Sequence, residues 1–241
     1  PKIFVVPIEA HFFQLLRRWI SYPFLKQHRP RQISKSEFIQ NAIGAIRYSN
    51  QEANPMADGV SAGLFNIEKF VSFLEEELCD VSEPRKSLLT CFLAYSKAIH
   101  FSLYGTQLDT SKYILEKSVE NAEYALDLKK IFPEASFIHI LRNPYSNLVS
   151  MRKFRMNNKG SRNFPWLGYD YRSLYNSCYF LYRNQRLIPN YHVIQYEKLV
   201  KHPQTVIQSL CEYIGIDFHD SMLTPTYCGQ QWSGNSTLST Q

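Results

Sequence analysis

The fold is decided by residues 137–150, which read FIHILRNPYSNLVS. The stretch opens with a short apolar run, rich in branched and aromatic residues, that stops at Arg142. Such a run is typical of a strand buried on both faces of a parallel sheet. Asn143 and Pro144 then predict the start of a helix, because Asn caps free backbone N–H groups and Pro suits the first helical position.

This junction between strand and helix predicts an anion site. In open α/β sheets, ligands bind beyond the carboxyl ends of the strands, where Arg142 would project. The start of the helix adds a partial positive charge, and Ser150 offers a hydroxyl two turns further along. The alternative is structural, with Arg142 in a salt bridge to a neighbouring carboxylate and Ser150 facing solvent.

The whole chain has the size and composition of one globular domain. It has 241 residues, of which 44% are hydrophobic, and this excludes a disordered chain. Strands alternate with helices, which predicts a three-layer α/β fold with a central parallel sheet covered by helices. The net charge of +6 fits nucleic acid, an acidic surface or a small polyanionic ligand. Because no basic run is longer than a few residues, no nucleic-acid partner is predicted.

Cysteine and histidine spacing gives no sign of a metal site. The five cysteines include no CxxC pair, and the seven histidines form no HxxxH or HExxH arrangement. This pattern predicts free, buried thiols and favours a reducing compartment such as the cytoplasm. No apolar run reaches about 18 residues, so no membrane span is predicted, and a removed leader or anchor stays open.

Five stretches, in order, resemble the sulfotransferases that use 3′-phosphoadenosine 5′-phosphosulfate (PAPS). Residues 142–150 resemble the segment by which that family holds the 3′-phosphate. The other four are EKS at 116–118 followed by IFPEA at 131–135, VIQYEKLVKHP at 193–203, CEYIGI at 211–216 and QWSGNST at 231–237. The order and spacing agree from about residue 111 onwards.

The resemblance implies a P-loop NTPase-like sulfotransferase fold in a single domain over residues 1–241. The implied reaction moves a sulfuryl group from PAPS to a hydroxyl or amine and releases 3′,5′-adenosine bisphosphate. The acceptor would be a small molecule, a glycan or a carrier-bound group. No metal is required in principle, because cations and N–H donors can stabilise the developing charge. Six residues are implied in nucleotide binding: Arg142, Ser150, Tyr196, Trp232, Asn235 and Ser236.

Lys117 is the candidate for stabilising the transferred group. The family places a lysine at this strand end, and a point charge on a flexible stem suits phosphosulfate. The alternative is a surface ion pair with Glu116 or Glu120. A general base must also lie within hydrogen-bond reach of the acceptor, but the histidine of the cytosolic branch is replaced here by Val119. Three base candidates follow from the sequence: Glu9, His11 and His100.

The chain departs from the family at its front. The predicted strand at residues 2–6 continues into PIEAH at 7–11, where the family has a Gly-rich loop around the 5′-phosphosulfate. Either the loop has been lost, or a segment after Val6 is missing from this sequence. The second explanation is favoured. The alternative functions are a non-catalytic nucleotide-binding relative and a small-molecule kinase of related fold, although no GxxxxGK[ST] motif is present. The abrupt start would also fit part of a larger multi-domain enzyme.

Overall fold

The computed structural model describes residues 3–7, 9, 12, 34–49, 63–78, 84–109, 113–119, 121–158, 168–227 and 230–231. These residues belong to two compact units, Pro1–Pro133 and Glu134–Gln241, called here the N-terminal and C-terminal units. Each unit contains a pair of parallel strands with helices between them in the chain, as in α/β proteins. No helix in the described ranges combines the length and apolar character needed to cross a membrane.

The N-terminal unit begins with strand β1 (Ile3–Val5), which pairs in parallel with strand β2 (Tyr113–Leu115). Four described helices belong to this unit: α1 (Lys35–Ser49), α2 (Ile67–Glu77), α3 (Pro84–Tyr104) and α4 (Asn121–Ile131). The sequence predicts helices near residues 36–46, 66–78, 84–103 and 121–132 and a strand at Tyr113–Leu115. The described residues confirm these elements, with small differences at their ends. The helix predicted from Glu9 to Phe24 lies outside the described residues, apart from Glu9 and Phe12.

An aromatic core holds these helices together. Phe38 of α1 and Phe70 of α2 meet Tyr95 of α3 edge to face, with ring centroids 6.3 and 5.9 Å away. All three side chains are buried, and each such burial stabilises a fold by about 1.5–3 kcal/mol. The sequence pattern predicts an apolar side of α3 that includes Leu88, Leu89, Phe92, Tyr95 and Ile99, but Leu89 is 43% exposed. It follows Leu88 by one residue, which turns it about 100° around the helix.

The C-terminal unit contains a second parallel pair and four described helices. Strand β3 (Ile138–Leu141) pairs with strand β4 (His192–Gln195). The helices are α5 (Pro144–Asn158), α6 (Gly168–Leu187), α7 (Tyr196–Lys201) and α8 (Pro203–Ile214). A 3-10 turn (Asp220–Leu223) and a short antiparallel pair, β5 (Thr226–Tyr227) and β6 (Gln230–Gln231), follow. Besides β3 and α5, the sequence predicts a helix over residues 169–187, a strand at His192–Gln195 and a helix over Pro203–Ile214, and all are confirmed. It did not predict α7, the 3-10 turn or the β5–β6 pair.

Strand β3 is less buried than its sequence predicted. Its register with β4 places Leu141 opposite Gln195, so both strands end at the same level. Ile140 is 57% exposed, and Leu141 is half-buried. The prediction of a strand buried on both faces is therefore wrong for Ile140. An apolar run reports only the capacity to be covered, whereas actual burial depends on what packs on each face.

A chain of hydrogen bonds lies beside β3. The side-chain amide of Asn184 donates to the Tyr191 hydroxyl over 3.3 Å, and the Tyr191 hydroxyl lies 3.0 Å from Nδ1 of His139. Because the hydroxyl accepts from Asn184, its own proton can be donated to Nδ1, which requires an unprotonated Nδ1. Burial lowers the pKa of His139, so the neutral ring is the form that suits this site.

Candidate functional site

The carboxyl ends of β1 and β2 bring together two side chains of opposite charge. The register sets Val5 opposite Leu115, and the N–H of Val6 donates to the Leu115 carbonyl over 2.9 Å. Residues that follow the two strands therefore emerge at the same edge. There Nζ of Lys117 forms an ion pair with Oε1 of Glu9. The lysine side chain is 66% exposed, and the glutamate side chain is 22% exposed.

The turn that carries Lys117 is braced by Glu116. One carboxylate oxygen of Glu116 accepts from the Ser118 hydroxyl, and the other accepts from the side-chain amide of Asn121. The N–H of Asn121 also donates to the Ser118 carbonyl over 3.1 Å. One structural alternative expected an ion pair between Lys117 and Glu116. Lys117 instead pairs with Glu9. Glu120, the other expected partner, lies outside the described residues.

The other two base candidates do not join this pair among the described residues. Nδ1 of His100 lies 2.9 Å from the Thr106 carbonyl, which can only accept, so Nδ1 carries a proton. The ring packs against Phe4 and Tyr104, with centroids 5.0 and 4.8 Å apart. These contacts are typical of a structural histidine that packs against the core. His11 lies outside the described residues.

Arg142 stands directly after β3, as the sequence predicted. Its guanidinium carbon lies 5.0 Å from the centroid of the Tyr196 ring, in a cation–π contact. The contact follows from the register, because Arg142 and Tyr196 come directly after the opposed residues Leu141 and Gln195. The Nε atom of Arg142 is buried and has no hydrogen-bond acceptor among the described residues. The expected alternative, a salt bridge from Arg142, is not formed with any described carboxylate.

Helix α5 begins as predicted, with Pro144 at its first position. Oδ1 of Asn143 accepts from the N–H groups of Tyr145 at 3.0 Å and Ser146 at 3.3 Å. The carbonyl of Asn143 accepts the N–H of Asn147 over 2.9 Å. Since proline has no N–H, this helix start presents no free backbone donor in its first turn. The predicted anion site therefore rests on side chains, and Ser150 lies half-buried about two turns, or ~10 Å, along the helix.

Glu197 is a feature of this junction that sequence reasoning missed. Its Oε1 accepts the backbone N–H of Asn143 over 2.8 Å. That hydrogen bond, with a smaller contribution from the charge of Arg142, holds the pKa of the Glu197 carboxyl below its usual value. A signal was present: Asn143 and Glu197 stand at the same distance beyond two strands predicted to be parallel.

The remaining reactive groups are thiols and possible metal ligands. Cys91, Cys178 and Cys211 are free, as predicted. Cys211 is buried as predicted, Cys91 is half-buried, and Cys178 is exposed on α6, so the prediction of buried thiols is wrong at Cys178. Cys79 and Cys228 lie outside the described residues. Within the described ranges, no three His, Cys, Asp or Glu side chains are grouped so that they could hold a metal ion. The predicted nucleotide contacts Trp232, Asn235 and Ser236 lie outside those ranges.

Comparison with known proteins gives one match. A model described as the sulfotransferase family matches residues 23–220. The matched region contains Lys117, Arg142, Ser150 and Tyr196, whereas Glu9 precedes it. No curated protein and no solved structure matches the chain. The family model spans most of the sequence, and the chain therefore belongs to the sulfotransferase family.

Proposed function

We propose that this sulfotransferase takes its sulfuryl group from PAPS and transfers it to a hydroxyl or amine, releasing 3′,5′-adenosine bisphosphate. The acceptor belongs to a small molecule, a glycan or a carrier. The observation that carries the proposal is the state of Arg142. Its Nε is buried without an acceptor among the described residues, and a buried donor without a partner costs about 1–3 kcal/mol. A phosphate oxygen would relieve that cost, and the planar guanidinium suits two parallel bonds to phosphate.

Side chains would hold the 3′-phosphate in this proposal. The Tyr196 ring supports the guanidinium of Arg142 from one side, and Ser150 supplies a hydroxyl from the second turn of α5. The backbone donors of the first turn are already bonded to Asn143. A phosphate would therefore lie along the side of the helix, between Arg142 and Ser150. Contacts from Trp232, Asn235 and Ser236 to the nucleotide remain predictions from the resemblance.

PAPS, when bound, supplies a sulfuryl group whose leaving group is a phosphate oxygen. The acceptor oxygen or nitrogen forms a bond to sulfur, and the bond from sulfur to the bridging oxygen breaks, so that oxygen keeps the electron pair. Lys117 would stabilise the negative charge that collects there. Glu9 would accept the proton of the acceptor. The ion pair of Lys117 with Glu9 supports these roles, because it places a cation and a carboxylate together at two strand ends.

Membership of the family also supports a proposal for the fold of the whole chain. Both units contain parallel strands separated by helices in the chain. A three-layer α/β domain with a central parallel sheet is the arrangement that the resemblance implies for residues 1–241.

Binding of 3′,5′-adenosine bisphosphate tests the nucleotide site. We expect the protein to bind this bisphosphate much more tightly than 5′-AMP in calorimetric titrations, and Arg142→Ala to abolish the difference. Arg186→Ala is the matched control, because Arg186 also stacks on a tyrosine, with its guanidinium carbon 5.2 Å from the Tyr182 ring. No preference for the 3′-phosphate in the wild-type protein would refute the proposal.

Sulfuryl transfer tests the reaction. With PAPS and a panel of phenols, amines and glycans, Lys117→Ala should lower kcat by about 100-fold or more while bisphosphate binding persists. Lys130→Ala is the control, since Lys130 is another exposed lysine of the N-terminal unit, 3.9 Å from Asp127. Bisphosphate binding without transfer to any acceptor would indicate the non-catalytic relative. Magnesium-dependent turnover of ATP would indicate a kinase.

A further inference from the structure

Two successive contacts join the segments that follow β3 and β4. Beyond the last opposed pair, Leu141 and Gln195, the Arg142 guanidinium lies over the Tyr196 ring. One residue further, the N–H of Asn143 donates to Glu197 over 2.8 Å. The pairing of the two strands is thus continued past their ends by side chains.

The direction of the Asn143 N–H affects the backbone geometry of Arg142. It belongs to the planar peptide group that joins Arg142 to Asn143. An acceptor that fixes the direction of this N–H therefore fixes ψ of Arg142, and with it the angle between the arginine and helix α5. Because β4 ends at Gln195, no further residue of that strand is available to accept this N–H.

Glu197 makes this bond although its side chain is exposed to solvent and the neighbouring residue is a lysine, Lys198. An exposed carboxylate gains little by itself from a surface ion pair. Here it instead accepts a backbone N–H from a residue 54 positions away in the chain. The bond is important because it lies beside Arg142, whose Nε is buried and lacks an acceptor among the described residues.

We propose that Glu197 is a positioning residue of the 3′-phosphate site, which acts by holding the Asn143 N–H and thereby the angle between Arg142 and helix α5. This inference rests on the proposed function, since it assigns the phosphate to Arg142. Glu197 itself does not touch the phosphate. Its contribution is to hold the start of helix α5 at a fixed angle to Arg142, whose guanidinium lies on the Tyr196 ring.

Two substitutions separate the hydrogen bond from the charge. Glu197→Gln keeps an acceptor oxygen at the same reach and removes the charge. Glu197→Asp keeps the charge and shortens the side chain by one methylene, which withdraws the oxygen from Asn143. Glu212→Gln and Glu212→Asp are the matched controls, because Glu212 is another exposed glutamate of the C-terminal unit.

Affinities for 3′,5′-adenosine bisphosphate and 5′-AMP are measured by calorimetry for all five proteins. We expect Glu197→Asp to bind the bisphosphate about 10-fold more weakly, the effect of losing one hydrogen bond to a charged group. Its affinity for 5′-AMP should be unchanged, and Glu197→Gln should stay within about 3-fold of wild type for both ligands. A purely structural role would weaken both nucleotides equally, and thermal unfolding of each variant checks that the fold is kept.

Three outcomes would overturn the inference. They are wild-type selectivity in Glu197→Asp, a loss in Glu197→Gln as large as in Glu197→Asp, and equal losses for both nucleotides. These outcomes differ from failure of the proposed function, in which the wild-type protein itself would not distinguish the bisphosphate from 5′-AMP. If Glu197→Asp does not fold, Glu197→Ala, which removes the acceptor altogether, is compared with Glu197→Gln and tests the same bond.

Discussion

Replacing Arg142 by lysine separates charge from geometry at the proposed phosphate site. Lysine keeps the positive charge but lacks the planar fork and the Nε donor. In the structure the guanidinium carbon lies 5.0 Å from the Tyr196 centroid, and Nε is buried with no acceptor in the described part of the chain. Both features depend on the shape of arginine and not on its charge alone.

The expected loss of affinity follows from these two features. The cation–π contact is worth about 1 kcal/mol when partly shielded from water. One hydrogen bond to a charged phosphate is worth about 1.5–3 kcal/mol. Because a lysine ammonium retains part of the first contribution, the change should amount to about 2–3 kcal/mol, or roughly 30- to 150-fold in Kd. Arg142→Ala should lose more, since it also removes the charge.

Calorimetric titration with 3′,5′-adenosine bisphosphate at two salt concentrations measures this loss. Arg142→Lys should keep the salt dependence of the wild-type protein, because the number of charges is unchanged, while its Kd rises. Arg186→Lys on α6 should change neither quantity. A Kd for Arg142→Lys within about 3-fold of wild type would contradict this prediction and show that the site responds to charge alone.

Two further predictions concern stability. Asn143→Ala removes the oxygen that accepts from Tyr145 and Ser146; we expect a loss of about 1 kcal/mol and a fall in Tm of roughly 2–4 °C, with Asn143→Ser restoring most of it in thermal unfolding. Burial lowers the folded-state pKa of His139 below its unfolded value of about 6.5, so the unfolded chain binds more protons between these two values. Stability should therefore fall as the pH drops through about 6.5 and level off below the folded pKa; urea unfolding at several pH values should show a smaller fall in His139→Asn, and an unchanged fall would contradict the assignment.

Local sequence patterns predicted most helices and strands because their causes are local. Helix α5 is an example: Asn143 caps it and Pro144 is its first residue, as the sequence indicated. Gly215 ends α8 in the left-handed region, with φ of 73°, as a glycine at that position predicts. Ile140 was predicted less well, because its exposure depends on what packs against the strand and not on the apolar run itself.

The sequence predicted residues of the candidate site but not the contacts between them. Arg142 and Ser150 were identified from the junction between strand and helix, and Lys117 from the resemblance to the family. The partnership of Lys117 with Glu9 was not, although both were candidates, because the pair depends on β1 and β2 being adjacent and in register.

The sequence by itself determined the order of strands and helices, the position of Arg142 at a strand end and the capped start of the helix after it. These features depend on hydrophobic period, capping and proline geometry, which act over a few residues. Only the tertiary structure decided that Tyr196 lies under Arg142 and that Glu197 accepts the Asn143 N–H. Such contacts join residues more than fifty positions apart, and they depend on strand register, in which a slip of one residue would exchange every partner.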